Sequence, residues 1–233
     1  MANKNKQEQD QELKAIEGAL TSSEAFFEKN QKPLIITLVA IIVIAAVWLL
    51  VKNLYIDPRE SEAEAVMSVG QTYFQNGDYR TALDGDSIDF PGFIAVGEDY
   101  TLTKSAELAK VYSGLSFFKL GEYENAISYL EQTSLSDDIM QYTVQGTIGD
   151  CYVQLGDSVE AVKYFINAAK SKNILVRPVY LVKAGLCYEA AGNYAKALEM
   201  YETVKNGKLE AQSGIPEVDN IDKYIARAAA HVE

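Results

Sequence analysis

The residues able to do chemistry are few, and their spacing gives them little to work with. The only histidine, His231, is third from last in the 233-residue chain. A general base needs a neighbour to orient it, so no catalytic or metal role is expected there. Cys151 and Cys187 are too few for a disulfide framework. Asp84, Asp86 and Asp89 resemble a calcium loop at a glance, but the stretch lacks the ligand spacing and closing Glu of an EF-hand. It reads as a solvated turn feeding an extra short helix. Asp137 and Asp138 read as a helix cap. No nucleophile elbow, phosphate loop or dinucleotide fingerprint occurs. The expectation is therefore a non-enzyme with no catalytic residue, no metal and no cofactor.

If the side chains do no chemistry, the elements that carry them must do the work. A hydrophobic share of 48% and a charged share of 23% fit a folded protein. Residues 1–53 are neutral overall, so the whole net charge of −12 falls on residues 54–233. Phosphate-binding faces need clustered Lys and Arg. An acidic body of this kind excludes nucleic acid as a partner.

Leu34 to Val51, "LIITLVAIIVIAAVWLLV", is 18 residues without a charge. At about 1.5 Å per residue it makes roughly 27 Å of helix, close to the ~30 Å hydrocarbon core of a bilayer. Lys29, Lys32, Trp48, Lys52 and Tyr55 flank it as interfacial anchors. The preceding stretch is long and acidic for a signal peptide, and no small-x-small site follows. The chain is expected to keep this segment as a signal anchor, with residues 34–53 as a single transmembrane helix. Lys14, Lys29 and Lys32 against Lys52 and Arg59 favour a cytoplasmic N-terminus. Residues 1–33 form a tail in which Leu13, Ile16 and Leu20 recur at helical spacing, and Thr21 with Glu24 could cap a helix carrying Phe26 and Phe27. A surface-lying amphipathic helix and a loosely ordered tail both remain open. Asp57, Pro58 and Glu60 read as N-cap, first-turn proline and capping box of a new helix.

Beyond the anchor, one phrase recurs four times: "GQTYFQNGDYRTAL" from Gly70, "GLSFFKLGEYENAISYL" from Gly114, "GDCYVQLGDSVEAVKYF" from Gly149 and "GLCYEAAGNYAKALEMY" from Gly185. The first glycines are 44, 35 and 36 residues apart, the period of a helix-turn-helix solenoid. Each first glycine is expected to permit a close helix-helix approach. An aromatic follows three residues on, at Tyr73, Phe117, Tyr152 and Tyr188. Gly77, Gly121, Gly156 and Gly192 then end the helix in the left-handed conformation. Tyr79, Tyr123 and Tyr194 fill the turn, with Ser158 the exception, and Ala82, Ala126, Ala161 and Ala197 keep the second helix close. Cys151 and Cys187 hold equivalent places and are expected to be buried and roughly 8–10 Å apart. "EVDNIDKYIARAAAHVE" after Pro216 fits a capping helix.

This spine, over about residues 62 to 206, resembles the tetratricopeptide repeat. The resemblance implies an all-α chain: one transmembrane helix, then a solenoid of about four helix pairs over residues 57–233 with a C-terminal capping helix. The family's early bulky aromatic and unit-closing proline are missing, and the first unit loses its pattern after Leu83.

In that family the first helix of each unit lines a concave groove. By position the groove would use Met67, Gln71 and Phe74; Val111, Leu115 and Phe118; Gly146, Asp150 and Val153; and Val182, Leu186 and Glu189. The solvent-facing set would be Gln71, Phe74, Leu115, Phe118, Asp150, Val153, Leu186 and Glu189. Burial as inter-repeat core is equally open for each. The family's Lys, Asn and Arg clamp for a carboxylate is absent, so an extended or helical polypeptide suits the groove better than an acidic tail.

The whole architecture resembles the YfgM-type ancillary proteins of the bacterial Sec translocon. That implies an inner-membrane adaptor with periplasmic repeats, whose partners are translocon subunits, periplasmic chaperones or exported clients. A targeting receptor with cytosol-facing repeats, and a scaffold of another envelope machine, are the alternatives.

Overall fold

The structure is a computed structural model that describes residues 30–86, 88–207 and 215–232. The tail helix proposed over Leu13 to Phe27, and the anchoring Lys29, lie outside the described residues. The chain divides into two units between Ile56 and Asp57, and the described residues are helical throughout, without strands.

In the first unit, helix α1 covers residues 30–51, and every side chain from Leu34 to Val51 is exposed. It is one helix long and apolar enough to cross a membrane. A π-turn, Lys52–Ile56, follows. Pro58 explains that wider winding. It has no N–H to offer the Leu54 carbonyl four residues back, and its ring would crowd that carbonyl in a normal α-turn.

The second unit opens with α2 (Asp57–Gln75). The expected cap at Asp57 is not made, because helical winding is already established in the π-turn. Glu60 does not close a capping box either. Its carboxylate instead accepts from the Lys104 N–H at 2.6 Å, the Ser105 N–H at 3.1 Å and the Ser105 hydroxyl at 2.8 Å. It therefore sits on the positive N-terminus of another helix, the one that begins at Lys104.

After α2 come α3 (Tyr79–Asp84), α4 (Phe93–Asp99), α5 (Lys104–Lys119), α6 (Tyr123–Glu131), α7 (Asp138–Gln154), α8 (Ser158–Ala168), α9 (Val176–Ala190), α10 (Tyr194–Asn206), α11 (Pro216–Asp219) and α12 (Ile221–Ala229). The pairs α2/α3, α5/α6, α7/α8 and α9/α10 form units one to four, and α12 packs on α10. Within the pairs, the turn works as the phrase suggested. Gly77, Gly121, Gly156 and Gly192 have φ between 74° and 82°. The residue after each glycine returns its N–H to the carbonyl five positions back, at 2.8 to 3.0 Å: Asp78 to Tyr73, Glu122 to Phe117, Asp157 to Tyr152 and Asn193 to Tyr188. Three of these residues also cap the next helix, since Asp78, Asp157 and Asn193 accept from Thr81, Glu160 and Lys196 N–H groups. Glu122 is held by Arg80 and Asn125 instead. One residue thus ends one helix with its N–H and starts another with its side chain, which fixes the tight turn.

The first glycines permit the close helix-helix approach expected of them, by leaving room for a side chain of the second helix. A Cβ at Gly114 would lie 2.5 Å from Leu130, at Gly149 2.6 Å from Phe165 and at Gly185 2.3 Å from Tyr201. Each glycine is a seat for one large side chain of the second helix, and at Gly114 the Ala126 backbone carbonyl also comes within 3.2 Å of where a Cβ would stand. Leu130, Phe165 and Tyr201 are all fully buried.

Unit one departs from this. α3 is six residues long and ends before it can supply such a side chain. Phe90 and Phe93, from the inserted segment, take the seat over Gly70 at 2.3 and 2.6 Å. The insertion is therefore a replacement second helix. Its turn is ordered by Asp86, whose carboxylate accepts from the N–H groups of Ile88, Asp89 and Phe90 and from the Tyr73 hydroxyl. The N–H groups of Ile88 and Phe90, with that hydroxyl, hold the Asp86 pKa well below the usual carboxylate range. The extra short helix expected here is α4.

Candidate protein-binding site

The first helices α5, α7 and α9 run side by side in the same direction. Gly146 of α7 receives the Tyr180 ring of α9, and Asp150 accepts from Lys183 Nζ at 2.7 and 2.8 Å. The register of one unit on the next is therefore set by a ring in a glycine notch and by an ion pair.

That packing sorts the expected groove residues. Met67, Val111, Gly146 and Val182 are buried and belong to the inter-unit core. Gln71, Phe74, Leu115, Phe118 and Asp150 are half-buried, while Val153 and Leu186 are exposed. At the helix ends the four units diverge. In unit one Phe74 meets Tyr79 edge-on with ring centres 5.2 Å apart, and also meets Tyr112 at 5.2 Å. In unit two Phe118 meets Tyr123 at 5.8 Å. In unit four Glu189 is drawn in by the capping helix. Arg227 holds its carboxylate with Nε at 3.1 Å and Nη2 at 2.5 Å, leaving that side chain 12% exposed, and His231 stacks on Tyr194.

Unit three has neither device. Val153 and Ser158 occupy the places of the two rings, and a cleft of about 210 Å³ opens between α7 and α9. Phe165 and Cys187 lie deep in it, Val153, Leu186 and Ala190 wall it, and the Asp150–Lys183 pair forms its rim. The Lys183 ammonium lies 5.7 Å from the Phe165 ring centre and 5.6 Å from that of Tyr180, held by ring faces as well as by the carboxylate. The cleft can admit one apolar side chain, with a donor and an acceptor beside it. Of the expected residues, the structure brings Asp150, Val153 and Leu186 together here. Gln71, Phe74, Leu115, Phe118 and Glu189 do not line it.

Sequence reasoning passed over Lys183 and Phe165, and placed Cys187 only as buried core. Lys183 did leave a signal: it is a lone charge in "VYLVKAGLC" and lies 33 residues after Asp150, close to one repeat. Neither thiol offers reactivity. Both cysteines are free and buried. Burial pushes the Cys151 thiol up to about 12, with Asp150 adding to the shift, and burial raises that of Cys187 as well.

Residues 108–133 and 180–206 match one family model of the tetratricopeptide repeat, and residues 142–173 match a second. Those three segments carry tetratricopeptide repeats. The matched segments fall in units two to four, and unit one, with its replaced second helix, lies outside them. No curated protein sequence matches the chain. Among solved structures it resembles the nearly identical TPR-like repeats of a Podosopora anserina chain provisionally described as a kinesin light chain, with 17% identity and a TM-score of 0.54. That match covers 74% of this chain and 87% of the other. A structure of MamA protein is similar at 18% identity and a TM-score of 0.48, over 73% of this chain and 87% of that one. The first likeness supports the solenoid architecture. Tetratricopeptide repeats indicate a protein-interaction scaffold, and among the described residues the cleft of unit three is an uncovered part of the first-helix face.

Proposed function

We propose that the protein is a membrane-anchored adaptor whose repeat array holds a polypeptide segment against the first-helix face, with residues 34–53 as the anchor and 57–233 as the binding domain. The observation that carries this reading is the open cleft of unit three, where Val153 and Ser158 stand at the places that rings fill in units one and two. Asp150, Val153 and Leu186 touch the bound segment, an apolar side chain of which enters toward Phe165. Phe74, Phe118, Gln71 and Leu115 shape the neighbouring wall, and Glu189 orders its last turn through Arg227.

The exposed helix α1 supports the anchor. Leaving Leu, Ile and Val side chains in water forfeits about 1.5–3 kcal/mol each relative to burial, a loss that insertion into a bilayer removes. The arrangement of one short anchor and a small acidic array is that of an ancillary factor of the bacterial Sec translocon or of the periplasmic chaperone network, with the N-terminus cytoplasmic and the array periplasmic.

A photo-crosslinker at Leu186 in native membranes tests the adaptor role. Translocon subunits, periplasmic chaperones or exported proteins are the expected captures. A capture set drawn only from cytosolic proteins would replace this reading with a cytosol-facing receptor. Labelling of Asp89→Cys from the outer side of the membrane, and protection from the cytosolic side, checks the topology independently.

A further inference from the structure

Between Glu160 and Glu189 the chain carries five basic side chains and no acidic one, in a body whose net charge is −12. Two of the five are paired in place, Lys163 with Glu160 and Lys183 with Asp150. Lys170 bonds to the uncharged Asn167 amide. Lys172, in the loop from α8 to α9, and Arg177, in the first turn of α9, make no ion pair among the described residues. Glu199 and Glu202 of α10 stand across an open cleft from them without pairing. Ile174 and Leu175, from the same loop, are each 57% exposed. The loop is not slack. The Asn173 carboxamide oxygen accepts from the Leu175 and Val176 N–H groups at 2.8 and 3.2 Å, so a fixed turn holds both aliphatic side chains in solvent.

Two more exposed aliphatics adjoin them. The Tyr180 ring sits in the Gly146 notch with its hydroxyl beside that of Thr143, and Thr143 in turn donates to the Ile139 carbonyl at 2.9 Å. The start of α9 therefore lies against the start of α7, where Ile139 and Met140 are 48% and 37% exposed. Asp137 and Asp138 open that helix, Asp137 as its cap. Charge is ordered across the patch. Asp137 and Met140 line the cleft toward α5, whereas Lys172, Ile174 and Arg177 line the cleft toward α10. Four aliphatic side chains thus have acidic groups on one flank and basic groups on the other. Residues 133–140 carry two acidic and no basic side chains and residues 170–177 three basic and no acidic ones, so the two segments nearly cancel in an acidic body.

We infer that this patch joins two copies of the chain across a twofold axis. Rotation by 180° about an axis through the aliphatic centre lays the acidic flank of each copy on the basic flank of the other, the self-complementarity that an isologous interface requires. A partner with a uniformly charged face would be repelled by one flank. Two acidic bodies also meet with least repulsion where each is locally balanced. The patch is smaller than the ~20–30 residues a side of a standard interface, so the dimer is weak, with a Kd on the order of 10–100 μM. The cleft of unit three opens at the other ends of α7 and α9, beside Val153 and Leu186. Both clefts stay free in the dimer, which can hold one partner at two sites.

The test is energy transfer between donor-labelled and acceptor-labelled copies of the full chain in detergent micelles, with labels at Glu124→Cys. The native thiols are buried and stay unlabelled. Transfer should rise with concentration up to about 100 μM. Lys172→Glu with Arg177→Glu makes both flanks acidic, and Asp137→Ser with Asp138→Lys makes both basic while Ser keeps the cap. Each variant alone should lose more than about tenfold in self-association, and an equimolar mixture of the two should restore it. A parent that stays monomeric to about 100 μM, or association that neither charge variant changes, would overturn the contact, the second result assigning association to another face. Variants with the parent's urea midpoint that fail both singly and mixed would give the patch to a different partner and overturn the twofold. Leu175→Gln, outside every helix and without change of charge, carries the test if a charge variant unfolds: it should weaken association about 3–10-fold, and no change would overturn the contact. Loss of crosslinking from Leu186 would remove the adaptor reading and leave this contact standing.

Discussion

Units two and three are built from nearly the same phrase and differ most where the two helices of each pair meet at the turn. Unit two closes that end with Phe118 against Tyr123. Unit three has Val153 and Ser158 there, and the gap reaches down to Phe165. The backbone is the same in both: the glycines have φ of 79° and 80°, and the following N–H groups bond at 2.9 Å. The difference teaches that in this array the fold and the opening are specified by separate residues. Turn glycines and seat glycines make the pair, and the two residues flanking the turn decide whether it presents a site. Unit four shows a third outcome, in which the capping helix covers Glu189 through Arg227 and the chain after it lays His231 on Tyr194.

The strongest way to break the comparison is to remove what the two units share. Phe165 is fully buried, seated on Gly149 and stacked on Tyr180 with ring centres 6.2 Å apart. Phe165→Ala should lower unfolding free energy by about 3–5 kcal/mol, read as a fall in the urea midpoint of the full chain in detergent micelles. A change within about 0.5 kcal/mol would show that the cleft floor is not part of the core. Next come the glycine seats. A Cβ at position 185 would lie 2.3 Å from Tyr201, whereas one at Gly97 in α4 would meet nothing nearer than Lys110 Cγ at 3.4 Å. Gly185→Ala should destabilise by about 1–3 kcal/mol through overpacking. Gly97→Ala should be neutral or stabilise by up to about 1 kcal/mol, because Ala outranks Gly in a helix. Equal effects at the two sites would refute the seat.

A smaller effect sharpens the comparison directly. Val153→Phe with Ser158→Tyr gives unit three the closure of unit two. An aromatic pair adds about 0.5–1.5 kcal/mol beyond its burial, so the double variant should be slightly more stable than the parent and should lose crosslinking from Leu186. Tyr123→Ser should do the reverse in unit two, with a similar loss of stability and a new opening beside Phe118. Retained crosslinking in the closed variant would place the binding surface elsewhere.

The fold was legible because its devices are local. Glycines at fixed spacing, the Asp or Asn after them and the 18-residue apolar run each state their purpose within a few positions. What was not legible depended on partners distant in sequence. Glu60 reads as a capping box until Ser105, 45 residues away, takes its carboxylate. Phe90 and Phe93 read as part of an irregular insertion until α3 proves too short to seat its own side chain on Gly70. The site was half visible for the same reason. Position within the repeat pointed to Asp150, Val153 and Leu186, which line the cleft of unit three, but it could not distinguish them from Phe74, Phe118 and Glu189, which Tyr79, Tyr123 and Arg227 cover.

The finest test concerns the rim. Asp150 and Lys183 are each 32% exposed by side chain, so water still reaches the pair, and Coulomb attraction at such a site is largely offset by side-chain ordering and screening. A double-mutant cycle with Asp150→Asn and Lys183→Met, read by urea unfolding of the full chain, should give a coupling of about 0.2–1 kcal/mol that shrinks as salt is raised. In unit four the corresponding closure is bidentate and its carboxylate is mostly covered, so a cycle on Glu189 and Arg227 should give the larger coupling. If the ordering were reversed, the rim of unit three would be a fixed structural joint. An incoming segment could not then compete for its donor and acceptor, and the open cleft would bind through its apolar walls alone.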